Sequence, residues 1–298
     1  MLTGILSGFV AAVFQSISYL CTKLFIKHHT TDIGALLALS HIIMGIISVP
    51  LVWFLKPDQM PDYTSYQWKL LNTAGFYLLG QFFLFAALIK TEASRVSPLL
   101  GLKIVILALI SVVFLQHPMS LTQWVAIACS SLAAFLLSNS GGRIHLSSIV
   151  LVLCACLFYS LSDIHIKMLV DQFGYLGVLR GALLSTGLTY ILCAIVGGIY
   201  VIFKYKDLRR ETWGYSLPFA LSWLTAMFFL YTCFGLIGVV FGNIIQSSRG
   251  IISIGLGYLI ANIGFERLEP KITRGVYLRR VLAGLLMTGA VALYYWGH

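Results

Sequence analysis

The sequence predicts an all-α integral membrane protein, with ten transmembrane helices as two inverted five-helix repeats. Three observations carry that expectation. The first is composition. Of 298 residues, 59% are hydrophobic and only 10% charged, whereas soluble domains carry about 25% charged residues. Mean hydropathy is +0.92. The second is a series of apolar runs, each long enough to cross a bilayer. The third is a motif that returns at one constant offset in the first and sixth of those runs.

About 20 apolar residues span a bilayer as a helix, because lipid offers no partner to an unpaired backbone group. Such runs occupy 3–26, 33–55, 68–89, 96–115, 120–138, 147–169, 175–203, 214–236, 239–263 and 277–297. The longest connections are "KPDQMPDYTSYQWK", "KYKDLRRETWGY" and "ERLEPKITRGVYLRR", none with room for a soluble domain. The first run lacks the basic segment that opens a signal peptide and reads as a retained span. A formal charge of +10 would point to nucleic acid in a soluble protein. Here the cations gather in short connections, where they set topology, and no nucleic-acid partner is expected. The six cysteines, at 21, 129, 154, 156, 193 and 233, all lie in apolar runs. They have no zinc-ligand spacing, and neither a metal nor another cofactor is expected.

Small-xxx-small pairs at Gly4/Gly8, Gly177/Gly181 and Gly238/Gly242 are spaced for close helix approach. The internal repeat comes from "FQSISYLCTK", starting at Phe14, and "FYSLSDIHIK", starting at Phe158. Phe, two Ser and Lys coincide at the same offset, and Ile17 matches Leu161. Lys103 in the fourth run and Arg249 in the ninth add a looser match. The chain then divides into residues 1–140 and 141–298. Five is odd, so the second half inserts upside down relative to the first. Inverted repeats are the architecture of many secondary transporters, which bind substrate near mid-membrane.

On these residues the sequence resembles the drug/metabolite transporter superfamily, in its ten-helix form with two EamA-type repeats. The local match is "FERLEP" followed by "AGLLMTGAVAL", similar to the family's Gly-Glu-Arg-Leu turn and Gly-rich closing helix. In the first half, "LQHPMSLTQWVAIACSSLAAFLL" keeps the Leu-Thr and Gln of that turn. It departs in having Gln116, His117 and Pro118 where the family has a Glu, and in lacking the closing-helix glycine. The resemblance implies that spans 1, 3, 4, 6, 8 and 9 line a cavity. The superfamily's small multidrug-resistance branch exports cations through a first-helix glutamate. The first span here has Phe14 and Gln15 and no acid, which argues against that mechanism.

A charge at mid-membrane costs about 2.5–3.5 kcal/mol on insertion scales and survives beside a partner or a wet cavity. Lys23, Lys167 and Arg180 lie near span ends, where a long side chain reaches the headgroups. Lys103 is a third of the way along its span and Arg249 is central. Arg249 is expected in a substrate or gating role, with a structural ion pair as the alternative; its guanidinium fork suits carboxylate or phosphate. The clear intramembrane acid is Asp163. It shares a helix face with Ser160 and Lys167. It pairs with Lys167, or it binds a coupling proton, an ion or a substrate amine. Ser16 and Tyr19 with Lys23 form the matching stripe on the first span. Gln81, Trp223 and Gln246 add polar and aromatic groups on the helices that the resemblance assigns to the cavity.

The expected function is secondary transport, by alternating access, of a small anionic or zwitterionic metabolite such as an amino acid or phosphorylated compound. A lipid or lipid-phosphate flippase is the alternative. A membrane enzyme or non-transporting partner protein ranks below both, because no HExxH, GxSxG or paired intramembrane carboxylates occur. The partners are a small-molecule substrate and the lipid bilayer; a proton or counter-substrate and a homodimer are left open. The expected location is a cell membrane, as a multi-pass protein of a bacterial inner membrane. With Lys69, Arg279 and Arg280, at the edges of their runs, counted with the adjoining connections, thirteen of the 20 Lys and Arg follow the odd-numbered runs, and two, Lys56 and Lys69, lie in the other connections. The positive-inside rule then puts both termini outside, whereas the resemblance implies both inside.

Overall fold

The computed structural model describes residues 1–28, 32–90, 99–113, 116, 118–138, 146–204, 210–262 and 274–297. Among these, the regular elements are all helical. They are α1 (Leu2–His28), α2 (Ile33–Leu55), α3 (Tyr63–Lys90), α4 (Lys103–Val113), α5 (Leu121–Ser138), α6 (Leu146–Gln172), α7 (Val178–Lys204), α8 (Arg210–Ile237), α9 (Val239–Ser247), α10 (Arg249–Asn262) and α11 (Arg274–Trp296). A 3-10 turn, Leu100–Leu102, leads directly into α4. Each apolar run read from the sequence holds a helix. Among the described residues, six helices are long and apolar enough to cross a membrane, and three shorter apolar ones cover Leu100–Val113, Leu121–Ala133 and Leu282–Tyr294. The "FERLEP" turn lies outside the described residues, as does the Lys23 side chain.

The chain forms two compact units. One comprises Met1–Leu78 and Ser162–Leu236; the other comprises Leu79–Leu161 and Ile237–His298. Each unit draws on both halves of the sequence, and the chain passes between them inside α3, inside α6 and at the end of α8.

In the first unit α2 pairs extensively with α7. Glycine permits it. A Cβ on Gly197 would stand 2.9 Å from the Ala38 carbonyl oxygen, and one on Gly45 would run into Ala194. Ascending positions on α2 meet descending positions on α7, so the two helices are antiparallel. Polar contacts join α3 to α6. Ser162 donates to the Thr73 carbonyl (3.0 Å), Asn72 meets His165 (3.1 Å), and Lys69 bonds Gln172. Below them Tyr66, Leu70, Leu169, Phe173 and Leu184 form an apolar core.

In the second unit α5 pairs with α11. Ala133 packs on Ala283 near one end, and the Ser120 hydroxyl reaches the Gly297 carbonyl (3.2 Å) near the other. This pair is antiparallel too. A capping box starts α5: the Ser120 N–H donates to Gln123 Oε1 (2.9 Å), and the Gln123 N–H donates to the Ser120 hydroxyl (3.3 Å).

Two of the glycine pairs read as close-approach motifs have a further job, although Gly181 also allows close approach: a Cβ there would stand 2.9 Å from the Phe173 carbonyl oxygen. Gly177 and Gly238 are the residues just before α7 and α9, at φ +85° and +80°. Their carbonyls accept the first helical bonds, from Gly181 (2.9 Å) and Gly242 (3.1 Å). The i,i+4 spacing there reflects helix entry through a backbone shape that suits glycine.

Candidate functional site

Arg249 does not sit in the middle of a continuous helix. The chain tightens at Ser248, whose N–H bonds the Ile245 carbonyl (3.1 Å), and Arg249 opens α10. The serines around the break explain it. The hydroxyls of Ser247 and Ser248 donate to the carbonyls of Ile244 (2.6 Å) and Ile245 (2.7 Å). Such back-bonding competes with the helical ladder and bends helices. Ser247 is also tied to Ser130 of α5 (3.1 Å). Arg249 is 8% exposed.

Lys103 stands in an equivalent place. It opens α4 after the 3-10 turn, its N–H bonded to the Leu100 and Gly101 carbonyls. Its ammonium lies 5.8 Å from the Tyr159 ring centroid, within cation–π reach. The Ser160 hydroxyl bonds the Lys103 carbonyl (3.4 Å) and the Cys156 carbonyl (2.7 Å). Lys103 and Arg249, from opposite halves of the sequence, belong to the same unit as the Cys156 sulfur. That sulfur contacts the Leu99 and Leu100 carbonyls at 3.7 and 3.9 Å. Gln81 and Gln246, in the same unit, are both buried.

The remaining expected residues lie in the first unit. Tyr19 meets Trp223 edge-on, with ring centroids 6.3 Å apart. Ser16 is fully buried and its hydroxyl donates to the Ala12 carbonyl (2.8 Å). Asp163 and Tyr231 are both buried. Lys167 turns the other way. Its salt bridge is to Asp171 (2.5 Å), one turn further on, in place of the Asp163–Lys167 pair that the spacing equally allows. A lysine near a span end extends toward the interface, and Asp171 is the more exposed acid. Arg180 donates to the Leu55 (2.9 Å) and Lys56 (3.3 Å) carbonyls at the end of α2.

A buried group that sequence reasoning missed is His41, on α2. Its Nδ1 lies 2.7 Å from the Leu37 carbonyl and its Nε2 3.1 Å from the Tyr77 hydroxyl. Its ring stacks on Tyr190 (centroids 6.2 Å apart). The Trp223 indole N–H donates to the Tyr190 hydroxyl (2.8 Å), and Tyr190 is hydrogen-bonded to Tyr77. The available signal was that His41, Tyr77, Tyr190 and Trp223 are polar-tipped rings placed inside apolar runs.

Residues 2–139 match the model of the EamA-like transporter family. Over those residues the chain is similar to the EamA-like transporter family. It is thus a multi-pass membrane protein of the drug/metabolite transporter superfamily, a superfamily that moves small molecules across the bilayer. The EamA chain is also similar to a protein of known crystal structure. The two are 13% identical, with a TM-score of 0.70, over 98% of this chain and 96% of that one. At that identity the likeness speaks for the fold. No curated protein matches.

Proposed function

We propose that this EamA protein is a secondary transporter of a small anionic or zwitterionic metabolite, working by alternating access, with Arg249 and Lys103 as its anion site. The observation that carries the reading is their shared placement. Each cation opens an α-helix after a tightened turn, and both lie in the second unit. A helix start carries a partial positive charge that favours anions by about 0.3–1 kcal/mol. A cation placed there adds to that field. A carboxylate or phosphate between the two would be drawn by both charges and gripped by the guanidinium fork. Discontinuous membrane helices commonly hold anionic substrate groups in this way. Gln81, Gln246 and Ser160 supply neutral polar groups to the same unit.

We also read residues 1–140 and 141–298 as inverted repeats. Second-with-second (α2, α7) and fifth-with-last (α5, α11) helices run antiparallel, as counterparts related by inversion would. The cations before α4 and α10 fall at corresponding places in the two halves.

The test is ligand-induced thermal stabilisation of the purified protein, screened with amino acids, organic phosphates, lipid-linked phosphates and organic cations. Stabilisation by a soluble anion or zwitterion, lost in Arg249→Gln and Lys103→Gln, supports the reading. Lipid-linked phosphates as the only stabilising class would reassign the protein as a flippase. Stabilisation by organic cations that persists in both variants would sink the anion site.

A further inference from the structure

We propose that His41 is a proton-binding site, and that protonation reverses two hydrogen bonds of the chain His41–Tyr77–Tyr190–Trp223, those between His41 and Tyr77 and between Tyr77 and Tyr190. The direction of the chain is fixed at both ends. An indole N–H only donates, so Trp223 donates to Tyr190. A backbone carbonyl only accepts, so His41 Nδ1 carries the hydrogen bonded to Leu37. In the neutral ring Nε2 is then the acceptor, and the Tyr77 hydroxyl donates to it. Tyr77 in turn receives the Tyr190 hydroxyl hydrogen. Both tyrosine hydroxyls therefore give one hydrogen and take one, and the neutral chain is satisfied throughout.

A proton from water would bind at Nε2, turning that nitrogen from acceptor to donor. No other covalent bond changes. The Tyr77 oxygen must then accept, and its hydrogen turns to the Tyr190 oxygen. That oxygen already takes the Trp223 N–H. The Tyr190 hydrogen has to leave Tyr77 for another acceptor. One proton thus reorders contacts among α2, α3, α7 and α8, each fully or largely within the first unit. A buried polar group left without a partner is costly, so the two protonation states prefer different side-chain arrangements.

The groups that meet the imidazole are Tyr77 from α3 and Tyr190 from α7, with the Leu37 carbonyl from its own helix. Around Tyr190 lie Tyr231 of α8 and Cys193 of α7. Asp163 of α6 and Tyr231 are both buried. Asp163 is the one acid among these named groups. The inference stands apart from the anion site, which lies in the other unit.

The experiment is tryptophan emission of the purified full-length protein, without substrate, titrated from about pH 4 to pH 8. Wild type, His41→Gln, Tyr77→Phe and Trp223→Phe would be compared. Wild type is expected to show a transition that is lost in His41→Gln and Trp223→Phe and whose midpoint moves in Tyr77→Phe. A flat wild-type titration, or a transition that survives His41→Gln, would overturn the proposal. Should His41→Gln fail to fold, histidine-labelled NMR takes its place. One of the seven imidazoles should then change its titration in Tyr77→Phe; seven unchanged curves would overturn it. Neither readout uses a substrate, so failure here leaves the anion site standing, and the reverse also holds.

Discussion

Arg249 and Lys103 offer an anion different things. The guanidinium presents a planar fork and the ammonium a point charge. Arg249→Lys keeps the charge and loses the fork, so binding of a stabilising anion should weaken by about 10-fold to 100-fold. Arg249→Gln should abolish it. A ligand titration of thermal stability separates the two. Both residue positions were legible in the sequence, because a charge inside an apolar run is conspicuous. The partner of Lys167 was not. Asp163 and Asp171 are both four residues away on the same helix, and only their depth separates them. His41 was missed for a different reason. Its partners Tyr77 and Tyr190 lie on other helices, and an apolar run gives no sign of which rings will meet.

At the scale of elements, the extent of the helices followed from hydropathy, whereas their interruptions did not. Ser247 and Ser248 bend the chain by side-chain bonds to carbonyls, and a hydropathy sum treats those serines as a small polar dip. The sequence "QSSRG" held the signal, since serine and glycine together mark kinks. Two glycines also have a further role. Gly238 is at φ +80°, ψ 169° and Gly177 at φ +85°, ψ 149°; Gly238 lies in a region that is essentially glycine-only. Gly238→Ala should therefore cost about 1–3 kcal/mol. Gly197→Ala should cost about 1–3 kcal/mol by overpacking α2 against α7, because its new Cβ would meet the Ala38 carbonyl at 2.9 Å. Both losses are read as a lower midpoint of thermal unfolding. Gly75 and Gly198 have nothing within 4 Å of an added Cβ, and alanine there should leave the midpoint nearly unchanged.

At the scale of the whole molecule, the charge count predicts both termini on the outside. A carboxy-terminal reporter that works only in the cytoplasm should stay dark, and a lit reporter would favour the orientation that the family resemblance implies. The antiparallel α5–α11 pair gives a second check. In a background without native cysteines, a short thiol cross-linker should join cysteines placed at Ser120 and Gly297, whose hydroxyl and carbonyl are 3.2 Å apart. The interleaving of the two units bears on how the protein is made. Synthesis runs from one end, yet the first unit needs residues up to Leu236 and the second needs the last helix. When the ribosome has delivered the first half, α2 has no α7 to lie against and α5 has no α11. Neither surface is completed by its own half. The newborn half-protein must wait in the membrane with these faces uncovered, shielded by lipid or by the insertion machinery. Two separately expressed halves should then be degraded alone and survive together.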